Sequence, residues 1–392
     1  MVSNYTVKNE GQYDDSVLSR VVSIQSNSKK YNSLLTSFDK RLVSRVEPKE
    51  TGRSINEVYM KMDLTKLREV DGSDKKHAEF IARNGKNLHG DMVNLFIINL
   101  MLDGQDILLD KDYEYLSDLL MNPKNDIFLI PLVTYSNLKS DDVPQELYKQ
   151  FVKKMLEAKS TLGQDIKPAV SFPRYIESSS LGEILELYGD ENKIADFFLL
   201  DFKNGSVSGD QVQRKLLRLH RLLQNMERKN ELDGYFLYGA RAKSKGQPRL
   251  PTPARDTEAL IRGLNAIGRT HQDLPHDLSG LPPMTWDKLS GYDTDSIAYS
   301  RLGKRDPMSE RFANFSETYF DRIIDYDIPP AKNGGESKLL DQFNRTQGNL
   351  VGQQIATFVR ESDNTGLEKF ISNKTIYPSA NTFLKQLRKS RP

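Results

Sequence analysis

The sequence predicts an α/β fold around a parallel sheet, in its simplest form a barrel-like (β/α)8 core. Three observations support this prediction. Near-continuous apolar runs of strand length recur along the chain, segments with helical spacing separate them, and the runs begin near residues 94, 127, 167, 196 and 234. The intervals of about 30 to 40 residues match one strand–helix unit, and repeated units of this kind build parallel sheets.

Two kinds of hydrophobic pattern predict the strands. Period-two alternation over Asn56–Leu64 indicates a strand with one buried face. Continuous apolar runs indicate strands buried on both faces, as in a parallel sheet covered by helices. These runs are Leu95–Leu102, Ile127–Val133, Pro168–Phe172, Phe197–Phe202 and Tyr235–Tyr238.

Helices are predicted between the strands, where apolar residues recur every three or four positions. The clearest is Asp210–Lys229, in which the apolar residues form one stripe and His220 and the basic residues are expected to face solvent. The other helices predicted in this region are Lys111–Met121, Pro144–Ser160 and Leu181–Tyr188, and the segment Leu260–Ile267 precedes two weaker predicted strands.

The number of predicted strands bears on whether the sheet closes. Further strands at Asp277–Leu281 and Thr294–Tyr299 bring the count to eight, which suggests a closed barrel. The spacing between these last two strands leaves room for only a short helix around Trp286–Leu289, so closure is the least supported step. An open doubly wound α/β sheet is the alternative.

Composition divides the chain into three regions. Residues 1–50 are expected to be a polar N-terminal extension with short helices, and residues 51–300 the barrel-like core. Residues 301–392 are polar, helical and rich in loops, with one helix at Ser309–Asp325 and another at Ser337–Arg360 that breaks near Gly348. The two terminal regions are the candidate surfaces for a protein partner.

Charge and cysteine content exclude several classes of function. The 392 residues include 56 Lys and Arg, 54 Asp and Glu and no Cys, which gives a formal net charge of +2. A chain so close to neutral does not coat nucleic acid over its whole surface, so any polyanion site must be local. Without Cys there is no disulfide, thiol nucleophile or Cys-ligated metal. The lack of a long apolar stretch predicts a cytoplasmic protein without a signal peptide or membrane segment.

The common enzyme fingerprints are absent from the sequence. It contains no Walker A loop, no G-x-G-x-x-G after a predicted strand, no H-E-x-x-H and no G-x-S-x-G. These absences argue against an NTPase, a zinc protease and an α/β-hydrolase, and no cofactor is assigned. The segment Lys203–Gly209 resembles a phosphate-binding turn only loosely, and a plain loop is the favoured interpretation.

Candidate site residues follow the predicted strands, because active sites of parallel α/β folds lie at the carboxyl ends of strands. Asp103 and Asp201 are the candidate catalytic residues, since paired carboxylates can supply acid, base or nucleophile at a glycosidic or carbonyl centre. The candidate substrate-binding residues at these ends are Tyr135, Arg174, Lys203, Tyr238 and Arg241.

Asp201 lies inside an apolar run, where an unpaired carboxylate would be costly. We expect Lys203 or Arg174 to be its counter-ion. The structural alternative for Asp103 and Asp201 is that they cap the following helices or pair with an arginine at a strand end. His276, in a polar loop, is a further candidate for substrate binding, and together with the two aspartates it could supply an alternative Mg²⁺ site.

The clearest electrostatic feature is the segment 241–255, which has five cations and no acid. Lys243, Lys245 and Arg249 lie in its middle. Its Pro and Gly residues favour an extended loop that binds the phosphates of a nucleic acid or another phosphate-bearing ligand, with a merely solvated loop as the alternative. The segment lacks the aromatic residues on which single-strand binders stack bases.

Three functional hypotheses follow from these features. The first is a barrel-type enzyme, a transferase or hydrolase of glycosidic bonds among them, that acts on a phosphate-bearing or nucleic-acid substrate through Asp103 and Asp201. The second is a non-catalytic scaffold whose terminal regions dock a partner. The third is a metal-dependent hydrolase.

Overall fold

The computed structural model describes residues 5–11, 19–37, 55–103, 106–121, 124–135, 145–162, 166–189, 195–207, 209–242, 252–268, 285–303, 306–330 and 335–374. In these ranges the protein is a mixed α/β structure with parallel sheets at its centre. None of the described helices has the length and apolar character that a membrane span requires.

The strands of these residues are β1 Tyr5–Asn9, β2 Val22–Ser26, β3 Lys29–Asn32, β4 Leu35–Thr36, β5 Ile55–Asp63, β6 Val93–Leu102, β7 Phe128–Leu129, β8 Leu132–Tyr135, β9 Pro168–Phe172, β10 Phe197–Asp201, β11 Phe236–Ala240, β12 Thr252–Pro253, β13 Ala266–Ile267, β14 Ser290–Asp293 and β15 Ala298–Arg301. The α-helices are α1 Leu64–Asp71, α2 Asp74–Gly85, α3 Asp110–Leu120, α4 Gln145–Thr161, α5 Leu181–Gly189, α6 Asp210–Arg228, α7 Arg255–Ile261, α8 Pro307–Phe320, α9 Gly335–Arg360 and α10 Asn364–Ser372. A 3-10 turn covers Trp286–Lys288.

The central strands are parallel, and most follow one another in chain order. β5 pairs with β6, which pairs with β8. β7 pairs with β9, and the series continues through β10, β11 and β13 to β4. A bridge between Leu95 and Ile127 sets the β7–β8 segment beside β6 as well as β9. Among the described residues no backbone ladder joins β4 to β5.

Side chains of the central strands alternate between two apolar clusters. Leu95, Phe197 and Leu199 belong to an inner cluster, to which no described helix contributes a residue. The neighbouring residues Phe96 and Leu200 belong to an outer cluster, which packs against the helices. The parallel strands are therefore buried on both faces, as their continuous apolar runs predict.

The antiparallel sheet β1–β3 covers the amino ends of the central strands. Tyr5 packs edge-on against Phe197 at the start of β10, with ring centroids 6.2 Å apart. Tyr31 packs in the same way against Phe236 at the start of β11, at 5.5 Å. The β1–β3 sheet thus covers the inner cluster at the amino ends of the strands. A binding or active site is therefore expected at the carboxyl ends.

The C-terminal region packs onto this core through α9. Gly352 of α9 lies so close to the Leu34 carbonyl that a Cβ there would overlap it. Arg345 of the same helix donates a hydrogen bond to the backbone carbonyl of Ser37, just after β4. A separate apolar cluster, which includes Trp286 and Phe312, joins the β14–β15 hairpin to α8 and α9. The C-terminal region is therefore integrated with the start of the chain.

The strand predicted at Thr294–Tyr299 is wrong in most of its range and in its pairing. Residues 294–297 form the turn between β14 and β15, which pair antiparallel in a separate sheet with β12. In the segment Leu260–Ile267, which precedes these predicted strands, helix α7 ends at Ile261 and β13 covers Ala266–Ile267. The final neighbours in the parallel series are instead β13 and β4. The strand predicted at Asp277–Leu281 lies outside the described residues.

Two predictions in the terminal regions also differ from the structure. Strands β1 to β4 occupy the described part of the N-terminal region, where short helices were expected, because Tyr5, Val22 and Ile24 are buried against the inner cluster. Helix α9 continues through Gly348 without a break. Gly348 and Gly352 are both buried there, so they serve close packing and do not end the helix.

Candidate active site

A buried ion pair lies at the carboxyl ends of β10 and β11. Asp201 is the last residue of β10, and Arg241 directly follows β11. The Arg241 Nε donates to Asp201 Oδ1 at 2.7 Å, and its Nη2 donates to Oδ2. The backbone N–H of Lys203 also donates to Asp201 Oδ1, at 2.9 Å. The counter-ion of Asp201 is therefore Arg241, where Lys203 or Arg174 was expected.

Arg241 extends this ion pair into a hydrogen-bonded network that reaches three other strands. Its backbone has a left-handed φ of 52°, and its Nη1 donates to the hydroxyl of Tyr59 on β5 at 3.1 Å. The same hydroxyl accepts from Asn99 Nδ2 on β6 at 2.9 Å. The Thr134 hydroxyl on β8 donates to Asn99 Oδ1 at 2.8 Å. Burial raises the pKa of Tyr59, although the charge of Arg241 opposes the shift.

A second buried contact joins β5 to β11 deeper in the inner cluster. The Tyr238 hydroxyl donates to the carboxylate of Glu57, and both side chains are fully buried. Burial, reinforced by the charge of Glu57, raises the pKa of Tyr238 well above its ordinary value. Gly268 lies against both groups, because a Cβ at this position would overlap Glu57 and Tyr238. Arg345 of α9 interacts electrostatically with the same carboxylate.

A third buried carboxylate, Asp256, lies at the start of α7. The Tyr299 hydroxyl donates to its Oδ2 at 2.7 Å, and the backbone N–H of Thr257 donates to its Oδ1 at 2.9 Å. Burial raises the pKa of Asp256, while these hydrogen bonds and the charge of Arg345 act in the opposite direction. The β14–β15 hairpin is thus tied to the core by a buried polar contact.

Asp103 has different neighbours from Asp201. It directly follows β6 and is half-buried, and its backbone N–H donates to Asp106 Oδ2 at 2.8 Å. The N-terminus of α3 is closed by Asp112, whose Oδ2 accepts from the Leu109 N–H at 2.8 Å, so Asp103 is not the cap of that helix. Tyr135 lies at the end of β8, half-buried, and burial raises its pKa.

Three cations surround the loop that follows β10. Arg174 and Lys203 are exposed, after β9 and β10 respectively. Lys215, in the second turn of α6, donates to the backbone carbonyl of Arg174 at 2.9 Å and to that of Pro173 at 3.4 Å. Burial, reinforced by the charge of Arg174, lowers the pKa of Lys215 to about 8.

Three polar residues near these contacts were not among the candidates from the sequence: Lys215, Glu57 and Tyr59. Lys215 was assigned to the solvent side of its helix, but it lies near the amino end of α6, which is the end that faces the carboxyl edge of the sheet. Glu57 and Tyr59 belong to the polar half of the alternation in β5, which was assigned to solvent. The prediction for His220 was also wrong: it is buried, and its Nδ1 lies 2.9 Å from the Tyr235 hydroxyl.

Several predicted site residues cannot be placed. Lys243, Lys245, Arg249 and His276 lie outside the described residues. Within the described ranges, no group of three or more His, Asp or Glu residues is arranged to hold a metal ion. The structure therefore brings together Asp201, Arg241 and Tyr59, and it sets Arg174, Lys203 and Lys215 around the adjacent loop.

A comparison of the chain with protein-family profiles and a search among curated proteins found no match.

Proposed function

We propose that the protein is a barrel-type enzyme that acts on a phosphate-bearing substrate at the carboxyl ends of its parallel strands. One observation carries the proposal: a buried hydrogen-bonded network runs from Asp201 through Arg241, Tyr59 and Asn99 to Thr134 at these ends and joins five strands. Buried polar networks with perturbed pKa values are enriched at functional sites. In parallel α/β enzymes, catalytic residues come from these strand ends.

The contacts between β5 and β11 support closure of the sheet into a barrel. Along the series of paired strands, β11 is the fifth neighbour from β5, so a flat sheet would hold them about 24 Å apart. Yet Tyr59 and Arg241 are joined by a hydrogen bond of 3.1 Å, and Glu57 bonds to Tyr238. The sheet must therefore curl strongly. A closed barrel would contain eight positions, with β4 beside β5.

Asp201 acts in this proposal by holding Arg241 in place. The hydrogen bonds to Asp201 and Tyr59 use three of the five N–H groups of the guanidinium. In this proposal the remaining two N–H groups bind a phosphate oxygen that enters the strand ends far enough to reach the buried guanidinium, whose planar shape suits this geometry. Acid–base work then falls to Asp103, which is half-buried and therefore accessible to a substrate. These roles revise the expectation that both aspartates react directly.

Arg241 also begins the basic segment 241–255, which supports a nucleic acid as the substrate. Arg241 and Arg255, at its two ends, are paired with Asp201 and Glu258, so in this proposal the three cations between them, Lys243, Lys245 and Arg249, carry the phosphate binding. Asp103 would serve as the general acid or base for transfer or hydrolysis at a glycosidic bond.

Fluorescently labelled single-stranded RNA and DNA oligonucleotides provide the test. We expect the full chain to bind one of these oligonucleotides at low salt and to lose affinity steeply as the salt concentration rises. Incubation with the protein should also change the mass of the bound oligonucleotide, measured by mass spectrometry. Asp103→Asn should slow that reaction at least about 100-fold. Asp118→Asn, an exposed aspartate on α3, is the matched control and should react normally. Absence of binding at low salt would contradict the nucleic-acid substrate.

A second candidate function, partner docking by the C-terminal region, is favoured by exposed apolar side chains after α8. Ile323 is 84% exposed, and Ile328 is 63% exposed. Two strongly exposed isoleucines in one short segment are side chains that a protein partner would cover. Cross-linking mass spectrometry tests this alternative. It predicts cross-links between the C-terminal region and a protein partner, and the double variant Ile323→Ser and Ile328→Ser should lose them.

A further inference from the structure

The loop after β10 has a fixed backbone that lies against the end of β11. Lys203 and Asn204 are both in the left-handed region, with φ of 46° and 59°. The Asn204 N–H donates to the Arg241 carbonyl at 2.8 Å, and the Gly205 N–H donates to the Phe202 carbonyl at 2.8 Å. The loop is therefore held next to the Asp201–Arg241 ion pair and does not depend on a ligand for its shape.

Glycine at position 205 leaves room for Arg174 against this loop. A Cβ on Gly205 would lie 3.1 Å from Arg174 Nη1, which is tighter than ordinary contact. The guanidinium of Arg174 thus reaches across from the end of β9 to the loop after β10. Its side chain remains exposed there. An arginine in this position can present its N–H groups to a ligand above the loop.

Lys215 approaches the same loop from α6. Its ammonium is anchored by the carbonyls of Pro173 and Arg174, which use two of its three N–H groups. Burial and the charge of Arg174 both lower the pKa of Lys215, and the negative charge of Asp201 only partly offsets them. The positive charge of Lys215 is therefore not fully neutralised by the groups around it. With a pKa of about 8, the ammonium is mostly protonated at neutral pH.

The charges around the loop do not balance. Asp201 is already bound through both oxygens by Arg241. Within the part of the chain that the structure describes, the side chains of Arg174, Lys203 and Lys215 form no ion pair with an acid. Three cations near one loop repel each other, and an anion among them would remove that repulsion.

We infer that Arg174, Lys203 and Lys215 form a binding subsite for a phosphate group above the loop after β10. Lys215, anchored by two backbone carbonyls, and Arg174, whose guanidinium lies beside Gly205, define its position, and the exposed Lys203 adds charge from the loop itself. The subsite rests on the proposed function for the identity of the whole substrate, since it would hold one phosphate of that substrate. Binding of the phosphate group alone can be measured independently.

Inorganic phosphate is the probe, titrated into the full chain by isothermal calorimetry in a chloride buffer. Arg174→Gln and Lys215→Gln should each weaken phosphate binding about tenfold or more. Arg221→Gln removes one cation from an exposed position on the same helix and is the matched control, for which we expect unchanged affinity. Circular dichroism spectra and melting temperatures verify that each variant is folded. Equal affinity in all four proteins, or no saturable binding, would overturn the subsite.

The outcome separates this inference from the proposed function. Phosphate binding that depends on Arg174 and Lys215, without oligonucleotide binding or reaction, would support the subsite and contradict the nucleic-acid substrate. Oligonucleotide binding that is insensitive to both variants would contradict the subsite and leave the proposed function standing. A nucleoside monophosphate, titrated in parallel, distinguishes a phosphate carried by a metabolite from one in a polymer.

Discussion

Arg241 binds both carboxylate oxygens of Asp201 across the carboxyl ends of two adjacent parallel strands. The strand register explains this geometry, because Asp201 is paired with Ala240, the residue immediately before Arg241. The left-handed backbone of Arg241 then turns its side chain back toward β10. A bidentate pair of this kind orients the guanidinium as well as neutralising the carboxylate.

Removal of Arg241 alone should destabilise the protein strongly. Arg241→Met leaves the carboxylate of Asp201 buried without its partner, which we expect to lower the free energy of unfolding by about 3–5 kcal/mol. The double variant Asp201→Asn and Arg241→Met removes both charges and should recover a large part of that loss. Urea unfolding measures both values. A double variant less stable than Arg241→Met would contradict the interpretation of an ion pair.

Gly268 should not tolerate a methyl group. Gly268→Ala places a Cβ against Glu57 and Tyr238, whose side chains are fully buried and cannot move away freely. We expect a loss of about 1–3 kcal/mol in the free energy of unfolding, as for other overpacked cores. Gly303→Ala is the control, because nothing lies within 4 Å of the added Cβ. Thermal unfolding followed by circular dichroism compares the two, and equal melting temperatures would contradict the packing described here.

His220 should make the protein sensitive to acid. Burial lowers its pKa to about 3 in the folded state, whereas an unfolded histidine has a pKa of about 6.5. Between these values the unfolded chain binds one more proton, so this residue alone lowers the free energy of unfolding by about 1.4 kcal/mol per pH unit as the pH falls.

The variant His220→Gln tests this acid dependence. Its free energy of unfolding should fall less steeply than that of the wild type between about pH 6 and pH 4. His77→Gln is a matched control, because His77 also lies beside a tyrosine hydroxyl, that of Tyr115, but is only half-buried. Parallel slopes for the wild type and His220→Gln would show that His220 is not responsible.

The pKa of Lys215 can be measured directly. A pH titration of ¹³C-labelled lysine side chains by NMR should reveal one resonance with a pKa of about 8, absent from Lys215→Gln. Arg174→Gln should raise that pKa, since the charge of Arg174 helps to lower it. In the wild-type protein, addition of inorganic phosphate should also raise the pKa of Lys215. A titration with only ordinary lysine pKa values would contradict the burial of this ammonium.

The sequence predicted the strands that carry long hydrophobic patterns and missed those that do not. Strands β6, β9 and β10 are near-continuous apolar runs, and the structure contains them close to the predicted bounds. Strands β4 and β13 have two residues each, which is too short for any periodic signal. Of the strand predicted at Thr294–Tyr299, only Ala298 and Tyr299 lie in a strand, and that strand, β15, belongs to an antiparallel hairpin. Pattern alone does not distinguish the two kinds of sheet.

The candidate site was predicted in part for a related reason. Their positions after predicted strands placed Asp201 and Arg241 at the carboxyl edge of the sheet, where the structure has them. These positions did not reveal that the two residues bind each other, since pairing depends on register and on the left-handed backbone of Arg241. Glu57 and Tyr59 were missed because a polar residue on a strand is ordinarily expected to face water. In this sheet that face is the interior.

The pairing of β4 with β13 has a consequence for how the chain folds. Leu35 lies near the start of the chain and is hydrogen-bonded in register with Ala266. During synthesis the first of these strands leaves the ribosome long before its partner exists, and such distant contacts slow folding. The N-terminal segment must therefore remain available until most of the core has been made. A fusion partner or tag that folds around residues 5–37 would compete with this late step.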